Sequence, residues 1–259
     1  MKALKYKVVA RTDVGIRKAV NEDSYLAKTT HTSLGNVCMA LICDGMGGLQ
    51  YGEKASQTVV ALFDKWFTDV FKETTEVAKD KYNLDLEIER LFLKANRLLV
   101  DYGIENNIKL GTTASLLFII EDKYFTYHVG DTRIYKYDGR LKQITEDHTL
   151  VAAKVKNGQL TKEEAQISKE KHILLQCVGV NEALEIHKSY GICSSLDVFL
   201  LCCDGLYNRL EHQEVAEFLK NQGKVNENHM QMSIDNLIST VKNRGETDNI
   251  SAMIVVPGT

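Results

Sequence analysis

Three stretches of this sequence are too apolar to show a face to water. "VCMALICD" (37–44), "DVFLLCCD" (197–204) and "ISAMIVV" (250–256) run almost without a polar residue. Each has the length of a strand, and each predicts a strand covered on both sides. The connections limit what can supply that cover. Strand-like segments follow one another through the middle of the chain, and Asp138-Gly139 is a good hairpin turn between two of them. This is not a βαβαβ alternation, so a doubly wound parallel sheet is disfavoured. Two sheets facing each other, with helices outside, satisfy the apolar strands and place the chain in the α+β class.

The helices are legible from their period. In "GEKASQTVVALFDKWFTDVFKE" (52–73), Val59, Leu62, Phe63, Trp66, Phe67, Val70 and Phe71 recur at helical spacing. In "LDLEIERLFLKANRLLVDYG" (84–103), the stripe is Ile88, Leu91, Phe92, Ala95, Leu98, Leu99 and Tyr102, with Gly103 as a C-terminal stop. Two more helices are expected in "HQEVAEFLKNQ" and "HMQMSIDNLISTVKNRG". Strands are expected at 4–11, in "TASLLFIIED", "KYFTYHVGD" and "RIYKYDGRLKQIT", and in "ALEIHKSYGI". Residues 146–172 form a polar excursion whose Thr161 and Glu164 make a capping-box pattern, which predicts a short helix.

Charge and composition narrow the function classes. A net charge of −3 leaves no basic field for nucleic acid or an anionic membrane. No run approaches a membrane span, and the N-terminal segment has no apolar signal region, so a cytoplasmic protein is expected. None of the six cysteines is in a CxxC spacing, and most lie in apolar runs, so buried thiols are expected rather than a zinc or redox site.

Two of the apolar strands end in Cys-Asp-Gly. An aspartate there projects into the loop layer, and the glycine lets the backbone approach a ligand closely. After a buried strand, such a carboxylate is costly unless it is paired or bound to a cation. Asp44-Gly45 and Asp204-Gly205 are therefore candidates, whereas Asp138-Gly139 is an ordinary turn. Further acids stand at similar addresses: Glu22 and Asp23 in "NED", Asp131 ending "VGD", and Asp248 in "TDN". Brought together, this oxygen-only set would suit Mg²⁺ or Mn²⁺. Caps and turn hydrogen bonds are the structural alternative.

The order of these motifs resembles the PP2C (PPM) family of metal-dependent protein serine/threonine phosphatases, in its compact bacterial form. "NEDS", "ICDGMGG", "GEKAS", "GTTAS", "VGDTRIY", "TEDHT", "CCDGL" and "TDNIS" follow in register over nearly the whole chain. The resemblance implies one domain, 1–259, with a variable flap at about 146–172. Its fold would be a four-layer α/β/β/α sandwich, two facing antiparallel β-sheets flanked by helix pairs. It implies two divalent cations, Mn²⁺ or Mg²⁺, with Asp44 bridging them, the Gly45 carbonyl on one, and Asp204 and Asp248 on the other. Glu22 and Asp23 would act through metal-bound water, and Asn249 would orient the loop carrying Asp248. Thr112 and Thr113 match a stretch that supports the site. The implied reaction is direct attack of an activated water on phosphoserine or phosphothreonine. The implied partners are phosphoproteins and a cognate serine/threonine kinase, for a monomeric enzyme.

Three positions depart from the family pattern. Where the family has a phosphate-binding Arg this chain has Lys18, with Arg17 beside it; lysine attracts phosphate as a point charge without the bidentate fork. A third metal in bacterial members would use Asp131 and a second Asp, but the second position is Asn208, a weaker ligand. A His common in the "DGxGG" segment is absent, with Met46 and Leu49 in that neighbourhood; His148 in "EDHT" is a candidate general acid. These departures motivate an alternative, a catalytically weak or degenerate module of the same fold that binds phosphoproteins or a kinase.

Overall fold

On β3 (Gly35–Cys43) both sets of side chains are buried, and they enter different cores. Val37, Met39, Leu41 and Cys43 face one core, while Cys38, Ala40 and Ile42 face another. This is the strand period of two, with cover on each side. The computed structural model that gives this arrangement describes residues 5–46, 51–71 and 81–258.

Among the described residues the strands form two five-stranded sheets. One has the order β1 (Lys5–Asp13), β10 (Ile250–Gly258), β9 (Val198–Cys202), β6 (Arg133–Tyr137) and β7 (Leu141–Gln143). The other has β2 (Ser24–Thr32), β3, β4 (Ala114–Ile120), β5 (Lys123–Val129) and β8 (His187–Ile192). Every strand pair is antiparallel.

Three cores separate four layers. Between the sheets, Ile42, Leu117 and Ile119 meet Phe199, Leu201, Met253 and Val255. Outside the second sheet lie α1 (Gly52–Trp66), which continues as a π-helical turn over Phe67–Phe71, and α2 (Lys81–Asn106). Phe63 of α1 meets Phe92 of α2 edge to face, with ring centroids 5.3 Å apart. Outside the first sheet lie α6 (His212–Lys220) and α7 (Glu227–Asn243), where Val215, Leu219, Ile234 and Val241 cover Leu200 and Ile254. Each fully buried Leu, Ile or Phe contributes roughly 1.5–3 kcal/mol. The expected α+β sandwich is therefore the fold.

Two helices lie in the 146–172 excursion, α3 (Leu150–Lys156) and α4 (Lys162–Ile167), where one was expected. Thr161 and Glu164 close the capping box on α4. A short helix, α5 (Asp204–Tyr207), was not anticipated. All six cysteines are free and buried.

The structure corrects several local expectations. Gly103 does not end α2; it lies inside the helix, where a Cβ would come within 2.9 Å of the Ile108 carbonyl oxygen. Asn107, at φ 52°, is the left-handed residue after the helix. Val70, expected on the apolar stripe, is 41% exposed, because the π turn changes the rotation per residue while Phe67 and Phe71 stay inside. Leu98 is also exposed. Leu4 of the first expected strand and Lys72–Glu73 of the first expected helix lie outside the described residues.

Candidate metal centre

The strand ends that carry the Asp-Gly pairs open at one rim of the sandwich. Asp44 follows β3, and its backbone is fixed by the "GTT" segment. Its N–H donates to Thr113 Oγ1 at 2.9 Å, and its carbonyl accepts from Thr113 N–H and Thr112 Oγ1, also at 2.9 Å. Gly45 donates to the Glu22 carbonyl at 3.1 Å. A Cβ at Gly45 would stand 2.3 Å from the Gly52 carbonyl oxygen, so only glycine fits this crossing. Gly205 is equally confined, with a Cβ position 2.0 Å from the Asn249 carbonyl oxygen.

The C-terminal motif ties the site to the N-terminal loop. Asn249 Oδ1 accepts from Glu22 N–H at 2.9 Å, and its Nδ2 donates to the carbonyls of Val14 and Val20 at 2.9 and 3.1 Å. Asn249 N–H itself donates to Asp248 Oδ1 at 2.8 Å. One amide side chain thus holds the 14–22 loop beside Asp248. Ser251 Oγ, on β10, donates to Asp23 Oδ2 at 2.6 Å.

The electrostatics of this centre are unfavourable as they stand. Asp23 is 7% exposed, and its Oδ1 is buried with no hydrogen-bond partner. Burial, then Asp204 and Asp248, push its carboxyl up to about 7 against the lowering effects of Ser251 and Cys203. Burial raises Asp44 well above the ordinary carboxylate range, and Asp23, Asp204, Asp131 and Asp248 push it further. Asp131 is raised in the same way, by burial, then Asp204 and Asp147, with Arg133 opposing. Ligand atoms of Asp23, Asp44 and Cys203 lie within 4.8 Å of one another. Carboxylates that repel one another, one with an orphaned buried oxygen, form a donor set that fits hard divalent cations.

Lys18 and Arg17 take different places. Lys18 Nζ lies 2.9 Å from Asp248 Oδ1 and 3.5 Å from Glu22 Oε2. Desolvation lowers the Lys18 ammonium, but its contacts with Asp248 and Glu22 outweigh that and leave it raised. Burial raises Glu22 despite the ammonium. Arg17 is exposed.

Asn208 turns its amide toward Asp204, with Nδ2 donating to Oδ2 at 3.2 Å. Tyr207 Oη donates to the Asp131 carbonyl at 3.0 Å, and its ring lies 3.6 Å from the Arg133 guanidinium carbon. Arg133 in turn makes a forked pair with Asp147, at 2.7 to 3.1 Å. This chain of contacts runs from the start of the flap to Asp131 and α5.

The histidines differ from the sequence reading. His148 packs against the His128 ring at 5.1 Å between centroids, and its Nδ1 faces Gly130 N–H. Burial lowers its pKa, followed by the nearby His187. The histidine that reaches the acids is His172, at the end of the flap, with Nδ1 3.6 Å from Asp204 Oδ2. Nothing in the local sequence marked His172, or Cys203 as a neighbour of Asp23 and Asp44. Met46 follows Gly45, and its methyl faces Gly111; Leu49 lies outside the described residues.

Comparison with known proteins decides the family. The model of the family described as protein phosphatase 2C matches residues 16–239. This chain belongs to the protein phosphatase 2C family. It is 31% identical over 250 residues to the protein phosphatase PhpP of Streptococcus pneumoniae, covering 94% of each chain. Among solved structures, it is similar to the S. agalactiae serine/threonine phosphatase. The TM-score is 0.83 at 29% identity, over 97% of this chain and 99% of that one. It is also similar to the catalytic domain of the phosphatase PstP in complex with two manganese ions. There the TM-score is 0.80 at 26% identity, over 99% of this chain and 100% of the other. In this chain the acidic strand ends stand together around Asp44, and among the described residues no helix is long and apolar enough to cross a membrane.

Proposed function

We propose that this chain is a metal-dependent protein serine/threonine phosphatase that hydrolyses phosphoserine and phosphothreonine by direct attack of water. What carries the reading is the set of acids from distant parts of the chain around Asp44: Asp23, Asp44 and Asp131 are raised by burial, and the nearby charges of Asp204 and, at Asp23 and Asp44, Asp248 raise them further. Two divalent cations, Mn²⁺ or Mg²⁺, would be held by Asp44, the Gly45 carbonyl, Asp204 and Asp248, and would supply Lewis acidity to a water and to the phosphoryl oxygens.

The chain's own residues do the rest. Glu22 and Asp23 accept hydrogen bonds from water beside Asp44. Lys18 offers its ammonium to the substrate phosphate, with Arg17 as a second cation at the entrance. Asn249 holds the 14–22 loop and Asp248 in one unit. No side-chain nucleophile is needed, and the buried thiols do not offer one. Burial raises every cysteine above its ordinary range, including Cys43 and Cys203 beside the acids. His172 would donate a proton near Asp204, the role for which His148 was the candidate from the sequence. We expect two ions rather than three, because Asn208 presents a donor to Asp204 where a third ion would need an acceptor. The chain would act as a cytoplasmic monomer on phosphoproteins, with a cognate serine/threonine kinase as its opposing enzyme.

The test is hydrolysis of a phosphothreonine peptide by purified protein with and without Mn²⁺. Turnover that appears with Mn²⁺ and is abolished by chelator supports the reading; no Mn²⁺-stimulated turnover refutes it. The alternative is a degenerate binding module, favoured by Lys18 at Asp248 and by Asn208. It predicts phosphopeptide binding without turnover.

A further inference from the structure

Six large apolar side chains border the acidic centre and are each between 38% and 52% exposed: Val14, Ile16, Val20, Ile173, Leu175 and Val180. They come from two separate segments of the chain. Val14, Ile16 and Val20 lie on the loop that carries Lys18. Gly15 of that loop packs so closely on Asp248 that a Cβ would be 2.1 Å from its carbonyl oxygen. Ile173 and Leu175 follow His172, whose ring reaches Asp204. Val180 closes the same segment beside Met46, since a Cβ on Gly111 would touch both side chains.

Both segments are held rather than loose. Asn249 binds the carbonyls of Val14 and Val20. Leu150 N–H donates to the Ile173 carbonyl, and Leu175 N–H to the His148 carbonyl, at 2.9 and 2.8 Å. Val178 and Thr112 exchange two backbone hydrogen bonds, and Gly179 N–H donates to the buried Asn96 at 2.7 Å. Apolar side chains on a backbone already held in place require no ordering of the chain when they are covered, so their burial adds to affinity. Scattered exposed apolar residues need no explanation, but these belong to two segments that each touch the acidic centre.

We propose that this rim is the docking surface for the polypeptide that carries the phosphorylated residue. It selects segments with aliphatic side chains on both sides of the phosphoserine or phosphothreonine. The inference rests on the phosphatase reading and adds its substrate class. A phosphorylated side chain that reaches Asp44 must lay its own backbone over the rim, because Gly15 packs on Asp248, His172 reaches Asp204, and Val180 lies by Met46, next to Gly45. Flanking aliphatic groups then remove both partners' apolar surface from water, which acidic or polar groups cannot do. The selectivity appears mainly in KM, since the contacts form on binding and do not change during the reaction.

The experiment uses the whole chain with Mn²⁺ and three matched phosphothreonine peptides. These carry Leu and Ile, Ser and Gln, or Glu at the two positions on either side. The expected kcat/KM is about tenfold higher for the aliphatic peptide than for the polar one, a typical value for one or two partly covered side chains. Ile16→Ser and Leu175→Ser should each lower that ratio to about threefold or less. Equal kcat/KM for the aliphatic and polar peptides, faster turnover of the Glu peptide, or a ratio unchanged in both variants overturns the rim and leaves the phosphatase reading intact. No turnover of any peptide overturns both.

Discussion

Removing the carboxylate of Asp147 should destabilise the protein far more than its place on a loop suggests. Asp147 accepts from Arg133 Nε on both oxygens at 3.1 Å, and from Nη2 at 2.7 Å. It also accepts from Gln143 Nε2 at 2.7 Å. The side chains of Arg133 and Asp147 are 26% and 13% exposed. Breaking one side of a fully buried pair costs about 3–5 kcal/mol, because the remaining charge is stranded. The Arg133 side chain is partly exposed and keeps Tyr135 and Tyr207 as neighbours, so Asp147→Ala should cost about 2–4 kcal/mol. For a chain of this size, that is a fall in melting temperature of about 4–7 °C. Circular dichroism melts of the purified variant measure it. Asp69→Ala is the control, since Asp69 is half exposed and its pair with Lys65 is 3.8 Å long; it should shift the melt by less than about 2 °C. A melt for Asp147→Ala within 2 °C of the parent, or an equal fall for Asp69→Ala, would refute the reasoning.

Three further outcomes are expected. Asp44→Asn and Asp204→Asn should each lower Mn²⁺-dependent kcat by about 100-fold or more while the melting temperature without metal holds or rises, because a repelling charge is removed; rates and melts check both. Asn208→Asp should raise the number of Mn²⁺ ions bound in calorimetry, or lower the Mn²⁺ concentration needed for half-maximal rate, and unchanged metal dependence would count against Asn208 as the reason for two ions. His128 supplies a pH test. Burial holds its pKa well below 6.5, followed by the neighbouring His148 and His187. Its neutral ring donates from Nε2 to the Gly130 carbonyl and accepts at Nδ1 from Ser115 Oγ. The unfolded chain therefore binds the proton more readily, and the His128 contribution is lost as pH falls below about 6.5, by up to about 1.4 kcal/mol per pH unit. The buried acids act in the opposite direction, so the comparison is between slopes. His128→Asn should lose less stability than the parent between pH 6.5 and 5.5 in denaturant unfolding, and parallel slopes would contradict the assignment.

How much was legible depended on whether the signal was local. β3, β9 and β10 could be read because both faces of each strand are buried, so nearly every residue is apolar. β2 gave no such signal. Its residues alternate between half-buried and exposed, and "SYLAKTTHT" at the sheet edge reads like a polar loop. The stripe on α1 could be read as far as Phe67, and the π turn then carried Val70 out to solvent in a way that no 3.6-residue period describes. Within the site, the Asp-Gly strand ends announced themselves because a carboxylate after a buried strand is expensive. The partners that shape them did not. Ser251 reaches Asp23 across 228 positions of sequence, and Asn249 reaches Glu22 across 227. His172 meets Asp204 only through the fold, whereas His148 stood in the more suggestive motif. Such contacts follow from the meeting of two sheets, and short stretches of sequence carry no trace of them.

The central claim is that Asp44 stands between two cations and that its neighbours share them. The most direct measurement is a crystal structure of the protein soaked in Mn²⁺, with anomalous scattering used to count and place the ions. The account predicts two ions that both contact Asp44, one of them also near the Gly45 carbonyl and the other near Asp204 and Asp248, and none between Asp131 and Asn208. No anomalous peak within bonding distance of Asp44, at a Mn²⁺ concentration that supports turnover, would contradict it.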